Sequence, residues 1–268
     1  MNNTKTYQWN ANDYSQNSSA QFEWASELIA KLHLKGNEQL LDIGCGDGRV
    51  TAMLAEQLPN GSVLGIDNSQ AMTKLAKQNH PPSHYPNLAF QKLDARDFAF
   101  ENQFDVIFSN ATLHWVPDHF SLLKKMKKAL RNKGRILLQM GGKGNAEEII
   151  VAVNHLIKSE KWRTYFSNFT FPYFFHGEKE YKKWLADAGF KAERIKLLPK
   201  DMQQKGKEGL AGWLRTTWHP YTERLPSHLV EEFITEIIQS YEKSHPMDKA
   251  GFFHIRMVRL EVEAVNIN

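Results

Sequence analysis

Apolar positions along the chain change period repeatedly, and the changes outline the fold. In "AQFEWASELIAKLHLKG", Phe22, Ala25, Leu28, Ile29 and Leu32 recur at helical spacing, and Gly36 stops the pattern. "EQLLDIG" then reads as a short buried strand. "RVTAMLAEQL" returns to helical spacing and ends at "PNG". The alternation continues with "SVLGID" as a strand, "SQAMTKLAKQN" as a helix, "LAFQKLDA" and "FDVIFSN" as strands, "FSLLKKMKKALRN" as a helix and "GRILLQM" as a fifth strand. Strands and helices in turn predict an α/β fold, a doubly wound parallel sheet with helices on both faces.

After Gly144 the pattern loosens. "AEEIIVAVNHLIKSEKW" and "EKEYKKWLADAGF" predict helices, and "KAERIKLLP" a strand. Residues 200–249 read as mostly helical, with "GLAGWLRTTW" and "HLVEEFITEIIQSYEKS", before the long final strand "FFHIRMVRLEVEAVN". The expectation is a single domain over residues 1–268 with a helical cap, 200–249, inserted between the last two strands. Residues 1–19 are rich in Asn, Ser, Thr and Gln, yet carry Tyr7, Trp9 and Tyr14. Such aromatics are out of place in a solvated tail and suit a segment that folds over a site.

Composition refines the picture only slightly. An apolar fraction of 41% and a charged fraction of 24% are those of an ordinary globular chain. Cys45 is the single cysteine, so no intrachain disulfide can form, which fits a reducing compartment. The opening residues lack the apolar run of a secretory signal, and no run reaches membrane-spanning length. A cytoplasmic protein without a membrane partner is expected. The net charge of +4 is spread along the chain, and "KKMKKALRNKGR" reads as a solvated helix face, so no nucleic-acid partner is expected.

Candidate chemistry collects at the strand ends. In "LLDIGCGDGRV" the glycines stand at 44, 46 and 48, between a strand and a helix. Such a turn brings backbone N–H groups and a helix N-terminus close to a ligand. The spacing lacks the third glycine offset of a dinucleotide site, and Asp42 and Asp47 bracket the loop. Carboxylates there would repel a pyrophosphate and attract an ammonium or sulfonium group, which points to S-adenosylmethionine rather than NAD. Asp67, ending the second strand beside Asn68, can accept from both ribose hydroxyls. Asp94 ends the third strand and can accept from an adenine amino group, with the Ala95 N–H nearby. Asn110 ends the fourth. Ligands of open α/β sheets bind along that edge.

"LLDIGCGDG", "GIDNSQAM", "LDA" and "FDVIFSNATLHWVPDH" together resemble the signature segments of class I S-adenosylmethionine-dependent methyltransferases. The resemblance runs from about Tyr14 to Val265. It is closest to the trans-aconitate methyltransferase group, with the malonyl-carrier-protein and juvenile hormone acid methyltransferases also similar. It implies a seven-stranded sheet of order 3-2-1-4-5-7-6 with an antiparallel strand 7. It also implies a cofactor site holding Tyr14, Asp42, Gly44, Gly46, Asp67, Asn68, Met72, Asp94, Ala95 and Asn110.

These related enzymes methylate carboxylic acids. A carboxylate is ionised at neutral pH and needs no general base; it needs donors to hold one oxygen while the other attacks. By resemblance to the juvenile hormone acid enzymes, Gln21 and Trp115 are the candidates, both with N–H donors. Ser18 and Gln21 can equally form a capping box opening the first helix. His114 is the candidate base should the acceptor be a hydroxyl or nitrogen, and otherwise lines the pocket. Pro117 interrupts the His114, Asp118, His119 stretch, so no metal is expected. Trp213, Trp218, His219 and Tyr221 would wall the acceptor side, favouring a larger, flatter or greasier substrate over a small tricarboxylate. The expected assembly is a monomer or weak homodimer. An N- or hydroxyl O-methyltransferase is the alternative, and a NAD-dependent oxidoreductase a more distant one.

Overall fold

The computed structural model describes residues 19–267. Its sheet is built from β1 (Gln39–Ile43), β2 (Ser62–Asp67), β3 (Leu88–Lys92), β4 (Phe104–Asn110), β5 (Leu130–Gly141), β6 (Phe190–Lys205) and β7 (Phe252–Asn266). The order is β3-β2-β1-β4-β5-β7-β6, with β7 antiparallel to both neighbours. This is the expected topology. Side chains alternate between the two faces as the pleat requires: Leu40 and Leu137 point into one core cluster, Leu41, Ile136 and Leu138 into the other. Helices α1 (Ser19–Ala30), α2 (Arg49–Glu56) and α3 (Gln70–Asn79) flank the first half of the sheet. Leu28, Ile29 and Leu32 of the first segment, and Ala52 and Leu54 of α2, fill one of these clusters. Helices α4 (His119–Ala129) and α6 (Glu178–Asp187) supply Leu122, Met126, Tyr181 and Leu185 to the other.

A third cluster forms the cap. It unites α5 (Glu147–Leu156), α7 (Gly206–Thr217), α8 (His219–Thr222) and α9 (Val230–Glu242) with the far ends of β6 and β7. The boundary read from sequence shifts here. Residues 200–205 are strand, paired with β7 from Lys200↔Met257 to Lys205↔Phe252, so the helical insertion begins at Gly206. Among these strand residues only Met202 is buried, and such a polar ribbon carries little strand signature. The cap also draws on the β5–β6 connection, where Trp162, Phe166 and Tyr173 are buried. At the other boundary, α4 stops at Ala129 and Leu130 already opens β5, so "LRN" belongs to the strand.

An ionic cluster fixes α1 against the sheet. Glu261 of β7 is fully buried and accepts from Lys31, just past α1, at 2.8 and 2.9 Å. It also pairs with Arg194 of β6 and accepts from Gln139 of β5. Tyr7, Trp9, Tyr14 and Ser18, and with them the lid expected over residues 1–19, lie outside the described residues, apart from the backbone of Ser19.

Candidate active site

The glycine loop lies between β1 and α2, and its glycines serve different ends. A side chain at Gly44 would collide with Thr112, and one at Gly48 with Phe90. Gly46, at φ 54°, faces space with no atom within 4 Å of where a Cβ would stand. That open side is where a ligand can lie against the backbone. The loop N–H groups are spent differently from the sequence expectation. Gly44 and Cys45 donate to the Ile66 carbonyl, and Gly46 donates to Asp67 Oδ2 at 3.0 Å. The loop is thus clamped to the end of β2 through the N–H groups of Gly44, Cys45 and Gly46, which leaves its open face at Gly46 toward free space.

Asp67 also accepts from the Ser69 N–H at 2.8 Å, and burial raises its pKa. Each carboxylate oxygen retains a lone pair for a hydroxyl. Asn68 beside it is exposed, while Met72 is buried in the first turn of α3, its N–H capped by Ser69 Oγ. Asp42 is sealed at the end of β1, hydrogen-bonded by Thr51 at 2.7 Å, and burial pushes its carboxyl up to about 7. Asp94, beside half-buried Ala95, is engaged by Arg96 through its backbone N–H, Nε and Nη2 at 2.7 to 2.9 Å. Any ligand amino group at Asp94 would have to share this carboxylate with Arg96. Asn110 ends β4, level with Gln139 of β5.

Directly after Asn110 the chain enters a pocket walled by aromatic side chains. Ala111 lines it at φ 55°, and the Thr112 hydroxyl contacts the Gly44 carbonyl at 3.2 Å, joining pocket to loop. His114 and Trp115 form one wall. Tyr173 and Phe175 form the next, their rings stacked at 5.4 Å, with Tyr173 also 4.6 Å from Trp115. The Phe174 N–H donates to the His114 carbonyl at 2.8 Å, which ties these walls together. Trp213, Thr217 and Trp218 of the cap close the far side, and Tyr173 donates to the Thr217 carbonyl. Of the cap residues expected as a wall, Trp213 and Trp218 line the pocket, whereas Tyr221 stands behind Trp218 in the cap core. The cavity, of about 80 Å3, is partly open and mainly apolar, as expected.

His114 is buried, and burial with the nearby Arg259 charge holds its pKa well below the ordinary imidazole value. The Gly141 N–H points at its Nδ1 at 3.4 Å, which leaves the ring proton on Nε2. Asn145 and Arg259 also line the pocket. Neither was read from sequence as a site residue. The signal for Arg259 is present in "FHIRMVRLEVE": Ile255, Met257, Arg259 and Glu261 share a strand face, so two charges follow two buried apolar positions inward. The aromatic run "YFSNFTFPYFFH" has no helical or strand period, and its wall residues went unread. Gln21 lies in the first turn of α1; its side chain and Tyr14 are outside the described residues.

Comparison with known proteins agrees with this geometry. Residues 34–189 match the family described as Methyltransferase domain. The chain belongs to the class I S-adenosylmethionine-dependent methyltransferases. This methyltransferase is 32% identical over 206 residues to an uncharacterized methyltransferase of Schizosaccharomyces pombe, covering 73% of this chain and 78% of that one. It is 28% identical over 258 residues to trans-aconitate 2-methyltransferase of Shigella flexneri serotype 5b, covering 96% and 97% of the two chains. Its fold is shared with geranyl diphosphate C-methyltransferase from Streptomyces coelicolor A3(2), solved with S-adenosyl-L-homocysteine, at TM-score 0.56 and 18% identity over 92% of this chain and 81% of that one. The enzyme's cofactor is S-adenosylmethionine, and it acts on small molecules. The residues present fit that cofactor: open space at Gly46, a carboxylate at the end of β2 that can accept from hydroxyl groups, and a buried acid, Asp42, near the end of β1. No helix among the described residues is long and apolar enough to cross a membrane.

Proposed function

We propose that the enzyme methylates a carboxylate oxygen of a small acid, forming a methyl ester. The observation that carries this reading is that the described residues lining the pocket supply donors and no histidine poised to take a proton. Among its described lining residues, His114 is the one side chain of the ordinary neutral-pH titrating type. Its proton sits on Nε2 and its basicity is suppressed by burial. It therefore offers an N–H and takes no proton. An alcohol or ammonium acceptor has to lose a proton to a base at some stage; a carboxylate does not. Bound S-adenosylmethionine supplies a methyl group on sulfonium; its transfer forms a carbon–oxygen bond, breaks the sulfur–carbon bond with the electron pair left on sulfur, and displaces no proton.

The chain's own part is positioning and exclusion of water. Trp115, with the indole N–H as donor, and Gln21, from α1, are placed in the role of holding the oxygen that does not react. Tyr14, Asp42, Gly44, Gly46, Asp67, Asn68, Met72, Asp94, Ala95 and Asn110 are assigned to the cofactor. The aromatic walls keep water from the acceptor. The full-length likeness to a protein named trans-aconitate 2-methyltransferase supports an acid as acceptor.

Two measurements test the reading. Label from methyl-labelled cofactor should appear in a product that releases methanol on mild alkaline hydrolysis. A product stable to alkali sinks it. In addition, His114→Gln keeps a donor and loses the imidazole, so kcat should fall by less than about tenfold. Loss of a true general base costs roughly 10²- to 10⁴-fold.

A further inference from the structure

The loop leaving β5 carries Asn145 to the pocket wall, and backbone bonds hold that loop from two sides. The Gly142 N–H donates to the Val258 carbonyl of β7 at 2.9 Å, and the Ala146 N–H to the Arg256 carbonyl at 3.2 Å. The Lys143 N–H donates to the His176 carbonyl at 2.9 Å, next to the Phe175 wall. Gly144 and Ala146 stand on either side of Asn145 at φ 85° and 51°. The left-handed region is uncommon for alanine and persists where the surroundings enforce it. Asn145 itself is 6% exposed. Its Oδ1 accepts from the Val258 N–H at 3.0 Å. A backbone N–H only donates, so this contact decides which end of the amide is oxygen. The Nδ2 end has no hydrogen-bond partner among the described residues. It lies beside the Phe175 ring: a Cβ at Gly141 would stand 3.1 Å from Nδ2 and 2.6 Å from that ring. Gly141 also points its N–H at His114 Nδ1. Asn145 and His114 thus flank one residue, with the amide Nδ2 and the imidazole Nε2 as neutral donors.

We propose that Asn145 is a specificity-determining residue of the acceptor site: its side-chain amide donates to the carboxylate oxygen that does not react, on an acid with a small apolar or aromatic body. This rests on the carboxyl-methylation reading above. An N–H group facing apolar rings without a partner is costly, and a ligand oxygen removes that cost. A carboxylate carries lone pairs on both oxygens, so one accepts from Asn145 while the other stays open to the methyl donor. The bond is charge-assisted and therefore stronger than one between neutral groups. The loop is already held to β7 and to the β5–β6 connection, so the amide is in place before the ligand arrives. The apolar remainder of the acid lies against Trp115, Tyr173 and Phe175, the rings that line the same cavity. An apolar molecule of the same shape fills the rings but leaves the amide unpaired, and this difference sets the selectivity.

Equilibrium binding to the full chain saturated with S-adenosylhomocysteine tests this without turnover. The probes are benzoate, hexanoate and toluene, the last keeping the ring of benzoate without its oxygens. Wild type should bind benzoate or hexanoate saturably, and benzoate more tightly than toluene. Asn145→Ala removes the donor and adds no charge. It should weaken benzoate by roughly 10- to 100-fold and lower the benzoate-to-toluene affinity ratio by a similar factor, while S-adenosylhomocysteine affinity holds. A residue that only bolts the loop to β7 would weaken both probes in step and leave the ratio where it is. If Asn145→Ala fails to fold, Asn145→Ser, a smaller change in polarity, is read by the same ratio. An unchanged ratio in the folded variant, or absence of saturable binding by both acids to wild type, overturns the assignment. Asn145-dependent acid binding combined with an alkali-stable methylated product would instead keep the donor and remove carboxyl methylation.

Discussion

Asp42 gives an oxygen to the Thr51 hydroxyl and is 2% exposed, so its charge is held where water cannot reach it. Burial raises its pKa to about 7, with Thr51 opposing and the Asp67 charge adding to the rise. The folded protein then keeps a proton that the unfolded chain releases near the ordinary aspartate value. Stability falls as pH rises from that ordinary value toward about 7. A cationic ligand against Asp42 reverses the preference. Binding of S-adenosylmethionine should therefore release a proton near neutral pH and tighten as pH rises through about 7. Calorimetry in buffers of different ionisation heat reads that proton directly. Equal heats in all buffers, or a proton that survives in Asp42→Asn, would place the cofactor's charge elsewhere. The neighbouring glycines show what sequence can carry at this scale. Their spacing announced a turn that side chains cannot enter. It did not say that Thr112 and Phe90 exclude a side chain at 44 and 48 while position 46 opens on free space. Asp94 was legible as a strand-end acid, but its grip by Arg96 follows from a turn geometry that spacing does not encode.

Elements were legible wherever one face is buried and the other wet. The strands β1 to β4 and helices α2 to α4 fall where apolar period places them, within a residue or two except at the C-terminal ends of β3 and α4. The end of β6 escaped because residues 200–205 pair on one edge and turn mostly polar side chains outward. Element placement also depends on charge that period cannot reveal. Glu261 draws α1, β5, β6 and β7 together through Lys31, Gln139 and Arg194. Glu261→Ala would leave two cations facing one another at this junction. Both are partly exposed, at 37% and 24%, and can recover some hydration. A loss of about 2–3 kcal/mol is expected, at the lower side of values for broken buried pairs. It is measured by denaturant unfolding. A change below about 0.5 kcal/mol, the range of an ordinary surface substitution, would mean that α1 is held by its apolar face alone.

Across the whole molecule, the cofactor cradle and the acceptor room are built from different parts of the chain. The residues assigned to the cofactor stand at the ends of β1 to β4; the pocket uses the segment that follows β4, the cap, the β5–β6 connection and β7. Trp162 is fully buried in the cap, donates to Glu236 at 2.7 Å and packs its ring 5.0 Å from Phe233. Trp162→Ala should cost about 3–5 kcal/mol in the cap, raise KM for the acceptor and leave S-adenosylhomocysteine affinity nearly unchanged. Parallel loss of both affinities would mean that the two parts share one cooperative unit. The same division explains what could be read in advance. The cradle sits on a regular sheet edge, so four short segments exposed it. The room is assembled from residues as distant as Ala111 and Arg259, and only three-dimensional contact brings them together.

The ladder joining β6 to β7 runs from Phe190↔Asn266 to Lys205↔Phe252, with its one irregularity near Ala192 at the sheet end. From Arg194 onward it carries the cap outward without interruption, like a bracket cast in one piece with its wall. Opening the cap away from the sheet as a rigid piece would have to break these backbone pairs, a cost that turning a ring in the pocket wall does not carry.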